Sequence, residues 1–299
     1  MELERMHFTG PVWRPPYEAN SLLLQATVGC THDNCKFCSL YPDTKFRMSP
    51  LSEIIEDLLI ASVYQPRARR VFLTGANPFV MTFDKLAKVA GLIKEYLPEV
   101  QNIGTFARIT DIRSKTVEQL KELHRLGYDR ITIGTESGDD MTLDYMRKGY
   151  KANDIIEQCR KLEAAGIEYN LSYLVGLAGK ENGIRNAFES ARIFSQLHPF
   201  IVSIVSLTVF PESDLYQDIQ DGLFIESSEM ERLEEMKLFI TNLIPDNEVT
   251  ILANTVSNPV PITGILPRDR DSMLMSLQSI IDNVGEKDLR KYREGIVSL

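Results

Sequence analysis

Two kinds of hydrophobic pattern alternate along the chain. Short runs of apolar and β-branched residues, typical of buried strands, are followed by longer stretches whose apolar positions recur every three or four residues, as in amphipathic helices. Six such units precede residue 225, and their predicted strands lie at 21–28, 69–75, 101–109, 129–138, 167–179 and 200–211. This alternation predicts an α/β fold of parallel strands and crossover helices, either a barrel or an open sheet. Ser49 and Pro50 predict the start of the first helix, as its cap and first helical residue.

The pattern changes near residue 225. Beyond it we predict an amphipathic helix at 227–244, a strand at 248–255 and a further helix at 267–284. No linker rich in glycine, serine or proline separates these elements from the preceding units. We therefore predict a main domain over residues 1–225, with an N-terminal strap at 1–20, and a C-terminal α/β extension at 226–299 that packs on it.

Composition limits the classes of function. The formal net charge is −9 and the pI is about 5.1, so the average field repels a phosphate backbone and nucleic acid is a disfavoured partner. The sequence has neither an apolar run of membrane-spanning length nor a secretory leader, which predicts a soluble, cytoplasmic protein without membrane association. Four cysteines, three of them crowded together, indicate thiols in a reducing compartment rather than a disulfide framework.

The crowded cysteines are the strongest candidate for chemistry. Cys30, Cys35 and Cys38 have the spacing C-x4-C-x2-C in a loop between the first predicted strand and the first helix. Three thiolates can bind three irons of a 4Fe-4S cluster and leave the fourth iron open to another ligand. The alternative is a structural zinc site with His32 as a possible fourth ligand, although no second cluster of zinc ligands is present. Cys159 lies at helical spacing among apolar residues and is predicted to be a core residue.

Further motifs follow strands in a fixed order. Thr74-Gly75-Ala76-Asn77 follows the second predicted strand, and "IGTESGDDMTLDYMRKG" (133–149) follows the fourth. "YLVGLAGKEN" (173–182) and "LTVFPESDLY" (207–216) follow the fifth and sixth strands. Together with the cysteine loop, this ordered set resembles the radical S-adenosylmethionine superfamily over roughly residues 20–225, in its coproporphyrinogen-oxidase-like and Elongator-like branch. The resemblance implies a partial (β/α)6 barrel of the TIM type.

The resemblance also implies the cofactors and the residues that bind them. The three cysteines would hold a 4Fe-4S cluster whose open iron binds S-adenosylmethionine, and the cluster would reductively cleave this cofactor to a 5′-deoxyadenosyl radical. The common spacing of the family has three residues between the first two cysteines, whereas this chain has four. Asn77 replaces the usual acid of the family's second motif. The cofactor-binding residues implied by the resemblance are Phe37, Gly75, Ala76, Asn77, Glu136, Lys148, Ser172 and Gly176.

The substrate and the catalytic residues beyond the cofactor site are not identified by the sequence. Arg108 follows the third strand and is a candidate for binding an anionic substrate, with an ion pair to Asp111 as the structural alternative. We expect an oxygen-sensitive enzyme that abstracts hydrogen from a small organic substrate and receives electrons from a donor such as flavodoxin or ferredoxin. The alternatives are a zinc-binding barrel without catalysis and an RNA-modifying radical enzyme.

Overall fold

The computed structural model describes residues 5–41 and 44–297, so the predicted domain limits at residues 1 and 299 lie outside the described residues. Strands and helices alternate through most of the chain. The strands are β1 Leu22–Gln25, β2 Thr27–Val28, β3 Arg47–Met48, β4 Arg70–Thr74, β5 Asn102–Ala107, β6 Ile131–Glu136, β7 Tyr169–Val175, β8 Ile201–Ser206, β9 Val249–Ala253 and β10 Ile262–Leu266. The helices are α1 Leu51–Tyr64, α2 Phe83–Tyr96, α3 Ile109–Arg113, α4 Val117–Arg125, α5 Asp140–Tyr145, α6 Ala152–Ala165, α7 Gly183–Phe194, α8 Asp214–Gln220, α9 Glu229–Asn242, α10 Arg270–Asn283 and α11 Glu286–Glu294.

The chain divides into two compact units that do not follow the sequence as two continuous blocks. Unit 1 contains residues 1–33, 41–133 and 160–169, and unit 2 contains residues 34–40, 134–159 and 170–299. The boundaries therefore fall within β6, α6 and β7. The predicted division at residue 225 stays a prediction.

Unit 1 is built on parallel strands. β1 pairs with β4, β4 pairs with β5, and β5 pairs with the first half of β6, with Phe106 opposite Thr132. Apolar side chains of these strands are fully buried, among them Leu24 and Phe72. α1 packs against β1 and α2, because its apolar face carries Ile54 and Leu58, which are buried as the helical period predicts.

Unit 2 continues the same strand–helix pattern. β7 pairs in parallel with β8, β8 pairs in parallel with β9, and β10 closes the ladder as an antiparallel strand beside β9. α9 begins with a capping box between Ser228 and Glu231 and packs on α7. Phe239 of α9 stacks on Tyr173 of β7 with ring centroids 4.0 Å apart. The strand predicted at 248–255 is thus part of the sheet of unit 2.

Two local predictions require correction. The single strand predicted at 21–28 is divided at Ala26, because β1 pairs with β4 whereas β2 pairs in antiparallel fashion with β3. The first helix begins one residue later than predicted: Pro50 is the N-cap, with an extended ψ of 146°, and Ser49 is not a cap.

The α/β class and the alternation of parallel strands with helices are confirmed. No helix among the described residues is long and apolar enough to cross a membrane.

Candidate active site

Unit 1 carries the first cysteine on a tightly constrained loop. Gly29 precedes Cys30 with a φ of +70°, and a Cβ at this position would lie 2.6 Å from the carbonyl oxygen of Thr44. Only glycine fits so close to a backbone atom with a positive φ. The backbone N–H of His32 donates to the Cys30 Sγ at 3.4 Å.

The turn after β4 has the same constraint and a buried amide. Gly75 has a φ of +121°, and a Cβ there would lie 2.2 Å from the hydroxyl oxygen of Thr27. The fully buried Asn77 donates from Nδ2 to the Thr31 hydroxyl at 2.8 Å and to Asp111 Oδ2 at 3.0 Å. Its Oδ1 accepts from the Thr31 backbone N–H at 3.3 Å. Asn77 therefore ties the residue after Cys30 to α3, and its predicted contact with a cofactor stays a prediction.

From the sequence, Asp111 was considered only as a possible ion-pair partner of Arg108. In the structure its Oδ2 accepts the backbone N–H of Arg108 at 2.8 Å and caps α3. Burial raises the pKa of Asp111 above its usual value. Burial also lowers the pKa of Lys115, whose Nζ donates to the Asp111 carbonyl oxygen at 3.1 Å, to about 8. The role of Arg108 in substrate binding stays a prediction.

Unit 2 carries the other two cysteines on a short turn. The Cys38 N–H donates to the Cys35 carbonyl oxygen at 3.1 Å, and Cys38 is exposed to solvent. The turn is fixed through its second residue, because the Lys36 N–H donates to the carbonyl oxygen of Met146 at 3.3 Å and the Lys36 carbonyl oxygen accepts from Leu215 at 2.7 Å. These two partners connect the turn to the end of α5 and the start of α8.

A carboxylate and an ammonium group meet at the end of β6. Glu136 is the last residue of the strand and has a φ of +65°, which is strained for a residue with a side chain. Its Oε2 accepts from the Ser172 hydroxyl at 3.0 Å, and its Oε1 lies 3.6 Å from Lys148 Nζ. Lys148 is 4% exposed, donates to the Gly134 carbonyl oxygen at 3.0 Å and lies 5.6 Å from the ring centroid of Phe37. The structure thus brings four of the predicted residues together in unit 2.

Beside this group lies a cavity of about 190 Å³ at the carboxyl ends of β7 and β8. Its wall is mostly apolar, with Glu136 as the only charged residue among those that line it, and the exposed Cys38 is at its edge. Apolar cavities with a few convergent polar groups are typical ligand sites. The lining residues are Phe37, Cys38, Ser39, Leu40, Glu136, Leu174, Val205, Ser206, Leu207, Thr208 and Phe210.

Gly176 does not line this cavity. Its φ is +82°, its N–H donates to Glu235 Oε2 at 2.8 Å, and a Cβ there would lie 3.1 Å from the guanidinium of Arg232. Gly176 therefore faces α9, and its predicted proximity to adenine stays a prediction. A larger groove of about 430 Å³, lined partly by Tyr145 and Arg185, contains none of the predicted site residues.

Two buried arginines from the C-terminal helices were missed by sequence reasoning. Arg232 of α9 and Arg293 of α11 both donate to the carbonyl oxygen of Leu207, in the cavity wall. Arg293 also donates to the Ser206 hydroxyl at 2.7 Å and to Glu229 Oε2 at 2.8 Å. Both arginines lie far along the chain from every motif, so nothing in the sequence indicated that they contact the cavity wall.

Burial shifts the titration of the groups around these arginines. It lowers the pKa of Arg232 to about 10. It raises the pKa of Glu235 to about 7, although Gly176, Tyr173 and Asn186 all donate hydrogen bonds to that carboxylate. The N-terminal part of α9 therefore carries three buried ionisable side chains inside unit 2, those of Glu229, Arg232 and Glu235.

The three thiols are of the chemical type that binds iron–sulfur clusters. Cys30, Cys35 and Cys38 are thiols that form no disulfide, and none of the three is fully buried. Within residues 5–41 and 44–297, no three cysteine, histidine or acidic side chains are arranged to hold a metal ion as they stand. The assignment of the three cysteines as metal ligands stays a prediction, as does the alternative of a zinc site that includes His32.

Known proteins resemble this chain in sequence and fold. A model of the Radical SAM superfamily matches residues 24–189. The heme chaperone HemW of Bacillus subtilis (strain 168) is 24% identical over 200 residues, which are 64% of this chain and 52% of HemW. The chain thus spans about half the length of this relative.

Two solved structures share the fold. Coproporphyrinogen III oxidase (HemN) of Escherichia coli, described as a radical SAM enzyme, matches with a TM-score of 0.56 at 15% identity. The match covers 75% of this chain and 52% of the HemN chain. The radical S-adenosylmethionine methyltransferase TsrM of Kitasatospora setae, solved with cobalamin and a [4Fe-4S] cluster, matches with a TM-score of 0.55 at 13% identity. The match covers 68% of this chain and 37% of the TsrM chain. The fold class predicted from the sequence is confirmed.

The superfamily match extends from the middle of β1 into α7 and includes the cysteine loop, Glu136 and Lys148. It covers more than half of the 299 residues. The resemblance found in the sequence motifs is thereby confirmed, and the chain belongs to the radical SAM superfamily.

Proposed function

We propose that the chain is an oxygen-sensitive radical enzyme that uses a 4Fe-4S cluster held by Cys30, Cys35 and Cys38. When bound, the cluster supplies one electron that splits S-adenosylmethionine into methionine and a 5′-deoxyadenosyl radical, which takes a hydrogen atom from a small organic substrate. The electron comes from a small redox protein such as flavodoxin or ferredoxin. We also propose a cytoplasmic location, where thiols stay reduced.

The observation that carries this proposal is the cavity of unit 2. It joins Cys38 and Phe37 with Glu136 at the carboxyl ends of β7 and β8, the edge at which α/β barrels place their chemistry. The buried ammonium of Lys148 beside Glu136 suits the carboxylate of an amino acid moiety, and the Glu136 carboxylate and the Ser172 hydroxyl suit ammonium or ribose hydroxyl groups. The apolar wall suits an adenine ring.

Reductive cleavage in the absence of oxygen tests the proposal. The purified chain is reconstituted anaerobically with iron and sulfide, reduced with dithionite and supplied with S-adenosylmethionine, and 5′-deoxyadenosine and methionine are quantified by chromatography. We expect equimolar formation of both products. A reconstituted chain that holds a 4Fe-4S cluster but forms no 5′-deoxyadenosine would contradict the proposal. One equivalent of zinc without affinity for S-adenosylmethionine would instead support a zinc-binding barrel.

Lys148→Met is expected to weaken binding of S-adenosylmethionine. Loss of a charged hydrogen-bonding group costs about 1.5–3 kcal/mol, which corresponds to roughly 10-fold to 150-fold in the dissociation constant. Equilibrium dialysis of the reconstituted protein measures this constant, and iron analysis checks that the cluster is retained. The matched control is Lys151→Met, because Lys151 pairs with Asp144 on the exposed surface. Equal dissociation constants for the two variants would show that Lys148 does not bind S-adenosylmethionine.

A further inference from the structure

The turn between Cys35 and Cys38 is attached to unit 2 by a side chain as well as by its backbone. Lys36 Nζ lies 2.5 Å from Asp218 Oδ2 of α8 and 4.3 Å from the ring centroid of Tyr145 of α5. The Tyr145 hydroxyl donates to the same Asp218 oxygen at 2.9 Å. One ammonium group thus contacts a carboxylate and an aromatic ring that are themselves hydrogen bonded to each other.

This contact is better shielded than the neighbouring ion pair of Arg147 and Asp214. The side chains of Lys36 and Asp218 are each 14% exposed, whereas those of Arg147 and Asp214 in the neighbouring pair are 46% and 64% exposed. Exposed pairs contribute little because water screens them, while a shielded pair with a cation–π contact is stronger. Asp218 reflects this, since the hydrogen bond from Lys36 holds the pKa of its carboxyl below the usual value.

The next residue of the turn is anchored on the same side of unit 2. Phe37 packs against an apolar cluster that contains Met146 of the segment after α5 and Leu215 of α8. Lys36 and Phe37 therefore fix both inner positions of the turn to the same two elements, one by charge and one by apolar contact. The outer positions are the two cysteines.

We propose that Lys36, Tyr145 and Asp218 form a clamp that positions Cys35 and Cys38 before a metal cluster is bound. Lys36 is a positioning residue, since it acts through the two thiols that flank it. A turn that is already ordered loses less conformational entropy when ligands close around a cluster, so the clamp favours cluster assembly. The inference rests on the proposed function for the cluster, but the order of the turn is a property of the full chain without metal.

Hydrogen exchange of the full-length apoprotein tests the clamp directly. In Lys36→Met we expect exchange of the amides in residues 35–38 to rise about tenfold or more, because a charge-assisted contact is lost. Lys36→Arg keeps the cation and its contact with the ring, and is expected to restore most of the protection. The control is Lys151→Met, whose exposed pair with Asp144 lies in the same unit. Exchange within twofold of the wild type in Lys36→Met would overturn the proposal.

A second readout follows the cluster itself. Lys36→Met is expected to take up iron several-fold more slowly during reconstitution, followed by visible absorbance, with Lys36→Arg again close to the wild type. Wild-type rates in Lys36→Met, together with a protected turn, would show that the clamp is not required. If the wild-type chain assembled no 4Fe-4S cluster, the proposed function would fail, while the exchange experiment would still decide whether the clamp exists.

Discussion

Alanine substitution of Cys30, Cys35 or Cys38 is expected to abolish 5′-deoxyadenosine formation and to prevent assembly of an intact cluster. In this proposal the three thiolates are the only protein ligands of the 4Fe-4S cluster. Loss of one thiolate leaves a second iron without a protein ligand and destabilises the whole assembly. Iron analysis and electron paramagnetic resonance of the reduced protein measure the loss, alongside product formation.

Cys159→Ala is the matched control for these three variants. Cys159 is fully buried in α6, where it behaves as a small apolar side chain. Its substitution removes one sulfur atom from the core and is expected to lower the free energy of unfolding by roughly 1–2 kcal/mol without changing the iron content. A normal cluster in any of the three loop variants, or a lost cluster in Cys159→Ala, would contradict the assignment of ligands.

Arg293→Met is expected to lower the free energy of unfolding of the apoprotein by about 3–5 kcal/mol, because it leaves a buried carboxylate without its main partner. Arg293 contacts Glu229 and the β8 end through five hydrogen bonds, and Glu229 is 1% exposed. Arg290 lies 3.7 Å from the same carboxylate and is a poorer replacement. Urea unfolding followed by circular dichroism measures the change.

The double variant Arg293→Met/Glu229→Gln separates the lost ion pair from lost packing. Removing both charges leaves no unpaired ion, so this variant is expected to recover part of the stability lost in the single one. The surface control is Arg192→Met, whose partner Glu189 lies one turn away on α7, with a change below about 0.5 kcal/mol. A single variant that is no less stable than Arg192→Met would show that the Arg293 pair contributes nothing.

Hydrophobic periodicity was sufficient for the main elements. The strands β4 to β8 were predicted because their apolar runs are buried, and α9 and β9 were predicted beyond residue 225 for the same reason. β10 was missed because Pro259 and Pro261 precede it and because, of its three central residues, Thr263 is exposed and the other two are only partly buried. α11 was missed because only Leu289 and Arg293 of its residues are buried, so it has no apolar stripe to detect.

The candidate site was predictable where local motifs determine it. Glu136 at the end of β6 contacts both Lys148 and Ser172, and the resemblance of their motifs to the superfamily was enough to group them. The partners of Asn77 and Gly176 were not predictable, because Asp111, Arg232 and Glu235 reach them from helices elsewhere in the sequence. Long-range polar contacts of this kind depend on side-chain packing that has no periodic signature.

The contact between Arg293 and Ser206 can form only late in synthesis of the chain. The two residues are 87 positions apart in the sequence, and chains are synthesised from the amino end. The cysteine loop and β8 therefore emerge from the ribosome well before the arginine that stabilises the end of that strand. The end of β8 and the cavity wall at Leu207 therefore gain these hydrogen bonds only after α11 has been translated.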